Sequence, residues 1–203
     1  MIGSTLNDLL AKLWPMLIIY SVIIITVRIY YLLSNHKKIV IYKEIFNYLF
    51  LIYMLLLFEL VTKEKTGYYG YNLVPFKEIL RYDFFTEAWY QNVIGNILLF
   101  IPVGYFISRY ASAKRGTPIL FITLIISFTI EIVQHNIGRA FDIDDIILNV
   151  MGGFLGYLIY YLLKKLSSKL PSIFRSDTFY NIITVVIVIL LVLLYMNNFK
   201  LWW

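Results

Sequence analysis

The sequence predicts an all-α membrane protein, a polytopic helical bundle of about six transmembrane helices. Three observations carry that expectation. Hydrophobic residues make up 61% of the 203 positions, and the mean hydropathy of +0.76 is far above that of a soluble domain. Six apolar runs each approach the roughly 20 residues needed to cross a hydrocarbon core about 30 Å thick. Basic residues also gather in alternate connections between those runs, the charge pattern of a multi-pass protein.

The first run, Trp14–Leu33, is too long for a signal-peptide core and has no small-residue cleavage site after it, so it reads as a membrane helix. Arg28 sits near its end, where a long cationic side chain can snorkel to the interface. The second run is Lys43–Val61, with Glu59 near its end. A long connection follows, residues 62–89, containing "GYYGYNLVPF". Gly67, Tyr68, Tyr69, Gly70 and Tyr71 suggest an aromatic turn at headgroup level. Pro75 biases Val74 towards extended geometry, and "KEIL" after it reads as the start of a short interfacial helix. The remaining spans are Gln91–Tyr110, Thr117–His135, Asp145–Leu163 and Phe179–Met196. No internal repeat or low-complexity segment divides the chain, which is expected to form one integral-membrane domain over residues 1–203. There is no cysteine, which excludes disulfides and thiolate chemistry.

Orientation follows from the loops. Lys37, Lys38 and Lys43, then Arg109, Lys114 and Arg115, then Lys164, Lys165, Lys169 and Arg175 mark three connections as cytoplasmic. The opposite side dilutes Lys12, Lys63, Lys65, Lys77, Arg81, Arg139 and Lys200 with most of the acidic residues. Both termini, the long loop and the turn 136–144 are therefore expected outside, with Trp202 and Trp203 as an interfacial anchor. The net charge of +6 is a property of the cytoplasmic face and gives no reason to expect nucleic-acid binding.

Against this apolar background, "EIVQHNIGRAFDIDDIILNVMGGFLG" at 131–156 is dense in polar groups. Thr123, Ser127, Glu131 and His135, spaced by four, form one stripe of the fourth helix, with Gln134 beside it. An intramembrane Glu is costly and reads either as a functional group or as half of an interhelical pair. Gly138 offers a chain reversal. Arg139 offers a planar fork of donors for phosphate or carboxylate, or a partner for the acidic residues after it. Asp142, Asp144 and Asp145 open the fifth helix, where one Asp would serve as a cap and three exceed that need. Asp145, Asn149, Gly152 or Gly153, and Gly156 share a face, and Asn92, Gly95 and Asn96 form a matching face on the third helix. Amides in lipid need partners. Helices three, four and five are therefore expected to meet around an outward-open polar pocket, with the glycines permitting close packing.

The same residues carry a family resemblance. "NLVPF" at 72–76, "NVIGNILLFIPVGY" at 92–105, "EIVQ" at 131–134 and "GRAFDIDDIILNVMGGFLGY" at 138–157 occur in the order and spacing of the VanZ family. The chain resembles that family over a core of about 45–165, with an additional sixth helix at about 179–196. The resemblance implies a multi-pass protein of the bacterial cytoplasmic membrane, linked to teicoplanin and other glycopeptide susceptibility. The positions matching the family's polar motif are Asn92, Asn96, Glu131, Gln134, Arg139, Asp142, Asp144, Asp145 and Asn149, and these are the ligand-binding candidates. No catalytic role is carried over with them.

Three functions compete. A binding or shielding protein would hold membrane lipids, a lipid-linked cell-wall precursor or a lipoglycopeptide, with Arg139 on an anionic group and the Asn side chains on sugars or amides. An integral-membrane enzyme acting on such a lipid would use Glu131, Asp142 or Asp145 as catalytic groups. Asp142, Asp144 and Asp145 would then be candidate ligands of a divalent cation such as Mg²⁺ or Ca²⁺, and His135 would extend the choice to a transition metal. A small transporter or flippase ranks last, because no charged path continues through the cytoplasmic half of helices three to five. Hydrolase and P-loop motifs are absent.

Overall fold

The structure is a computed structural model that describes residues 2–62 and 70–200, with side chains described over 13–62 and 70–194. The turn residues Gly67, Tyr68 and Tyr69, the loop cations Lys63 and Lys65, the side chains of Lys12 and Lys200, and the Trp202–Trp203 anchor fall outside those bounds.

The chain is helical throughout its apolar runs. The helices are α1 (Ile2–Ser34), α2 (Ile41–Thr62), α3 (Glu87–Tyr110), α4 (Thr117–Asn136), α5 (Ile143–Lys169) and α6 (Asp177–Lys200). Among the described residues, these six are long and apolar enough to cross a membrane. Each contains or nearly contains the run expected from hydropathy and overhangs it by a few residues. The helical geometry persists where the apolar stretch gives way to polar ends, because hydrogen bonding and not hydrophobicity sets the last turns. Within α3, residues Tyr90–Ile94 are π-helical. This irregularity carries the helix back to Glu87, four residues before the expected start at Gln91.

Two β-segments, β1 (Tyr71–Asn72) and β2 (Phe141–Asp142), pair in parallel, with Tyr71 opposite Phe141 and Asn72 opposite Asp142. Neither was expected in an all-α chain. Two-residue segments have no periodicity to read, and their pairing joins positions about seventy residues apart in sequence.

The chain divides into two compact units, Met1–Tyr53 with Lys169–Trp203, and Met54–Ser168. In the first unit, polar pairs bind helices whose surfaces are otherwise apolar. Arg28 donates from Nε and Nη2 to the Glu44 carboxylate at 2.7 and 3.0 Å, joining α1 to α2. Asp177 of α6 accepts from Tyr42 and Lys43 of α2, at 3.0 and 3.1 Å. Asn181 accepts the Tyr42 backbone N–H at 3.1 Å.

The second unit packs α3, α4 and α5 through small residues. A methyl group added at Gly104 would collide with the Gly153 carbonyl. One at Gly152 would meet the Ile97 carbonyl, and one at Gly156 the Ile101 carbonyl. Gly153 abuts the Thr123 methyl on α4. The glycines of α5 thus serve two neighbours, α3 and α4, where the sequence suggested one shared face. Buried Phe100, Val103 and Phe106 of α3 and Ile119 of α4 fill the space around these close approaches.

Candidate functional site

The polar stripe of α4 points inward. Thr123, Ser127 and Glu131 are completely or almost completely buried, and Gln134 is buried beside them. Thr123 bonds back to carbonyls of its own helix, and the other three are each tied to a different element. Ser127 Oγ accepts from Asn149 Nδ2 of α5 at 2.9 Å, and Gln134 Nε2 donates to the Val61 carbonyl at the end of α2 at 3.0 Å. Glu131 Oε2 accepts the Asp142 backbone N–H at 2.9 Å. The stripe therefore clasps α2, α5 and the β2 turn from a single helix.

The three Asp residues separate in function. Asp142 precedes α5, and its Oδ1 accepts the Asp144 N–H at 2.8 Å, the geometry of an N-cap. The same oxygen accepts from Asn72 Nδ2, also at 2.8 Å. Burial pushes the Asp142 carboxyl above the ordinary aspartate range, opposed by those two hydrogen bonds. Asp144 is buried and turns to the long loop. Its carboxylate accepts the backbone N–H groups of Phe76, of Glu78 at 2.7 Å and of Ile79 at 3.2 Å. Asp145 turns to α3 and accepts from Asn96 Nδ2. Asn96 also reaches the Asn92 carbonyl at 2.9 Å, and Asn92 reaches the Ala88 carbonyl at 2.8 Å.

This division does not gather the three Asp residues into the metal arrangement considered from sequence. Asp142, Asp144 and Asp145 face three different elements, and among the described residues no group of three or more His, Asp or Glu is placed to hold a metal ion. His135 does not join them: its ring lies 4.5 Å from that of Tyr71, and its buried Nδ1 has no hydrogen-bond partner. The two Asn residues expected on the matching faces of α3 and α5 tie different helices. Asn96 bridges α3 to α5 through Asp145, whereas Asn149 bridges α5 to α4 through Ser127. Asp145 and Asn149 lie one turn apart on one face of α5, and that face serves α3 and α4 in turn.

Gly138 has φ 88°, the left-handed reversal expected there, and it leads into Arg139. Arg139 is half-buried and acts electrostatically on Glu131, as do Asp142 and Asp145. Among the described residues its guanidinium has neither a hydrogen bond nor an ion pair. The expected Arg139–Asp pairing is not formed.

Two residues of the cluster were not among the sequence candidates. Asn72 is buried, and its Oδ1 is one of two buried side-chain polar atoms without a partner among the described residues. Tyr82 is half-buried, its hydroxyl held above the ordinary range by burial and by the charge of Glu78, with Arg81 opposing and Asp145 and Asp142 adding to the rise. "NLVPF" contained the signal for Asn72, an amide inside an otherwise apolar loop. Nothing in the sequence distinguished Tyr82 among 18 tyrosines.

The described arrangement coincides with a known family. The family VanZ/LLP1 matches residues 45–164, more than half of the chain and nearly the whole of the second compact unit. The chain belongs to the VanZ/LLP1 family. It is also 33% identical over 95 residues to Protein VanZ of Enterococcus faecium, an overlap covering 46% of this chain and 54% of that protein. The chain thus spans about half the length of that curated relative. No solved structure matches. Glu131, Arg139, the Asp cluster, Asn92, Asn96 and Asn149 all lie within the VanZ/LLP1 match, whereas α1 and α6 fall outside it.

Proposed function

We propose that this VanZ-like protein binds the anionic, sugar-bearing headgroup of a lipid-linked envelope component and thereby lowers glycopeptide susceptibility. The observation that carries this reading is unused polar capacity in an otherwise paired cluster. Asn72 Oδ1 is a buried acceptor without a donor, and the half-buried Arg139 acts on Glu131 through its charge, its fork of donors facing the same cluster. An orphaned buried acceptor carries a desolvation cost of about 1–3 kcal/mol, which a ligand hydroxyl or amide would relieve. A guanidinium suits phosphate oxygens two at a time. Glu131 fits a positioning role better than acid–base chemistry, because it is 1% exposed and its carboxyl receives the backbone N–H of Asp142.

The test uses the full chain in bacterial membranes and in nanodiscs, reading teicoplanin susceptibility and the lipids recovered by mass spectrometry. Arg139→Ala is expected to lose protection and bound lipid while thermal stability stays unchanged, since the side chain holds no partner. Glu131→Gln keeps an acceptor for Asp142 and is expected to retain protection. Full protection and unchanged lipid recovery in Arg139→Ala and Asn72→Leu would overturn the binding site. A loss of about 10²–10⁴-fold in turnover of a lipid substrate in Glu131→Gln would replace binding with general acid–base catalysis.

A further inference from the structure

The loop between α2 and α3 presents two contrasting faces. Inward go Asn72 and the backbone held by Asp144. Outward go Leu73, Val74, Phe76, Leu80, Phe84 and Phe85, with Leu80 74% and Phe85 76% exposed. So much apolar surface on one short loop marks an interaction site.

The backbone indicates what that face meets. Six consecutive N–H groups, those of residues 76–81, all have acceptors within the protein. Phe76, Glu78 and Ile79 donate to Asp144, Lys77 to the Val74 carbonyl, Leu80 to Phe76 and Arg81 to Glu78. A loop in water has no need of such completeness, whereas a segment entering a bilayer does. Phe76 and Phe85 are held at φ 67° and 66°, a left-handed conformation unfavourable for bulky side chains, and in both the ring points outward. Strain of this kind persists where function uses it. Next to Phe85, Trp89 packs against Phe84, Phe85 and Tyr90 at 5.9, 5.7 and 5.1 Å, an aromatic cluster at the end of a membrane span. The segment carries Lys77 and Arg81 against Glu78 and Asp83, a net charge of zero, and Arg81 is paired with Glu78 at 3.0 Å.

We infer that residues 73–85 form a monotopic insert seated in the leaflet beside α3, its outward rings in the acyl region and its inward face roofing the polar cluster. The partner is the lipid surface itself, engaged through apolar burial and not through anionic headgroups. This holds whichever ligand the polar cluster takes.

The chain has no cysteine, so single cysteines at Leu80 and Phe85, with Asp83 as a reference, can carry nitroxide labels in the full-length protein in phosphatidylcholine bilayers. At Leu80 and Phe85, collisions with oxygen are expected to exceed those with a water-soluble nickel chelate, and at Asp83 the order should reverse. Adding phosphatidylglycerol should leave both depths unchanged. Hydroxyl-radical footprinting of the unmodified chain should show Phe84 and Phe85 protected in bilayers. Chelate-dominated collisions at Leu80 and Phe85, or oxidation of both rings in bilayers, would place the loop in water and overturn the inference. Labels reached by neither reagent would place it against protein, and a depth that follows the anionic fraction would make the attachment electrostatic. Either result would also overturn it.

Discussion

Replacing Asp144 should release the loop from the helices beneath it. The side chain accepts three backbone N–H groups from residues 76–79, two of them at short range. A hydrogen bond to a charged group contributes about 1.5–3 kcal/mol, so the two short ones together hold the loop by about 3–6 kcal/mol. The freed N–H groups face the polar cluster, and neighbouring polar groups can satisfy part of what is lost. The expected effect is the lower figure, about 3 kcal/mol, or about a hundredfold in the local opening equilibrium. Asp144→Asn should be nearly as damaging as Asp144→Ala. An amide offers one oxygen, and its NH₂ must then face either the Phe76 donor or the Glu78 and Ile79 donors, leaving at least one N–H unmatched. Amide hydrogen exchange in nanodiscs reads this directly. Peptides covering 74–82 should exchange about a hundredfold faster in both variants, while the interiors of α4 and α5 keep their protection. If Asp144→Asn left exchange in 74–82 at the native rate, the carboxylate would not be the clamp, and the loop would have to be held by other contacts.

Four further outcomes follow from the same geometry. Gly104→Ala and Gly156→Ala should abolish the folded state or sharply lower thermal stability, because the added methyl meets backbone carbonyls on the facing helix, whereas Gly95→Ala finds its nearest atom at 3.6 Å and should be neutral or slightly stabilising. A double-mutant cycle of Ser127→Ala and Asn149→Leu should give a coupling of about 0.6–1.7 kcal/mol in thermal unfolding, and zero coupling would mean the two side chains do not support each other. Burial raises the Asp142 pKa in the folded protein, so the folded state binds more protons than the unfolded chain just above the ordinary aspartate value of about 3.9. Stability should therefore fall as pH rises through that window, and Asp142→Asn should flatten the slope. The distribution of basic residues predicts the loop outside and the α5–α6 connection inside, so an impermeant thiol reagent on intact cells should label a cysteine at Asp83 and spare one at Ser168; the reverse pattern would invert the topology.

The six helices were legible because each is a long run of one kind of chemistry, and periodicity and length survive without knowledge of any contact. The glycine-lined approach of α5 to its neighbours was legible for a similar reason, since small residues at helical spacing announce close packing. What could not be read was the pairing of Tyr71–Asn72 with Phe141–Asp142, which depends on loop closure in three dimensions. The π-helical turn in α3 was hidden as well. An extra residue in one turn changes which side chains face a neighbour but leaves no mark on composition.

The polar cluster shows why residue type predicts importance more readily than role. Asp142, Asp144 and Asp145 occupy four positions of sequence and look interchangeable as ligands for one ion. In the folded chain, the strand-to-helix turn at 142–143 aims them at Asn72, at the loop backbone and at Asn96. Each carboxylate ties a separate element to the start of α5. Glu131 is likewise committed to the Asp142 backbone, and Gln134 to the end of α2. The residues most conspicuous as chemistry are thus the ones that fix the architecture. Among the described residues, the buried side-chain polar atoms left without a partner are Asn72 Oδ1, which was not a candidate, and His135 Nδ1, and Arg139 is half-buried beside the cluster. Function in this fold is better sought where the hydrogen-bond network stops than where its charges are densest, because a fully paired carboxylate can exchange a partner only by loosening the helix it holds.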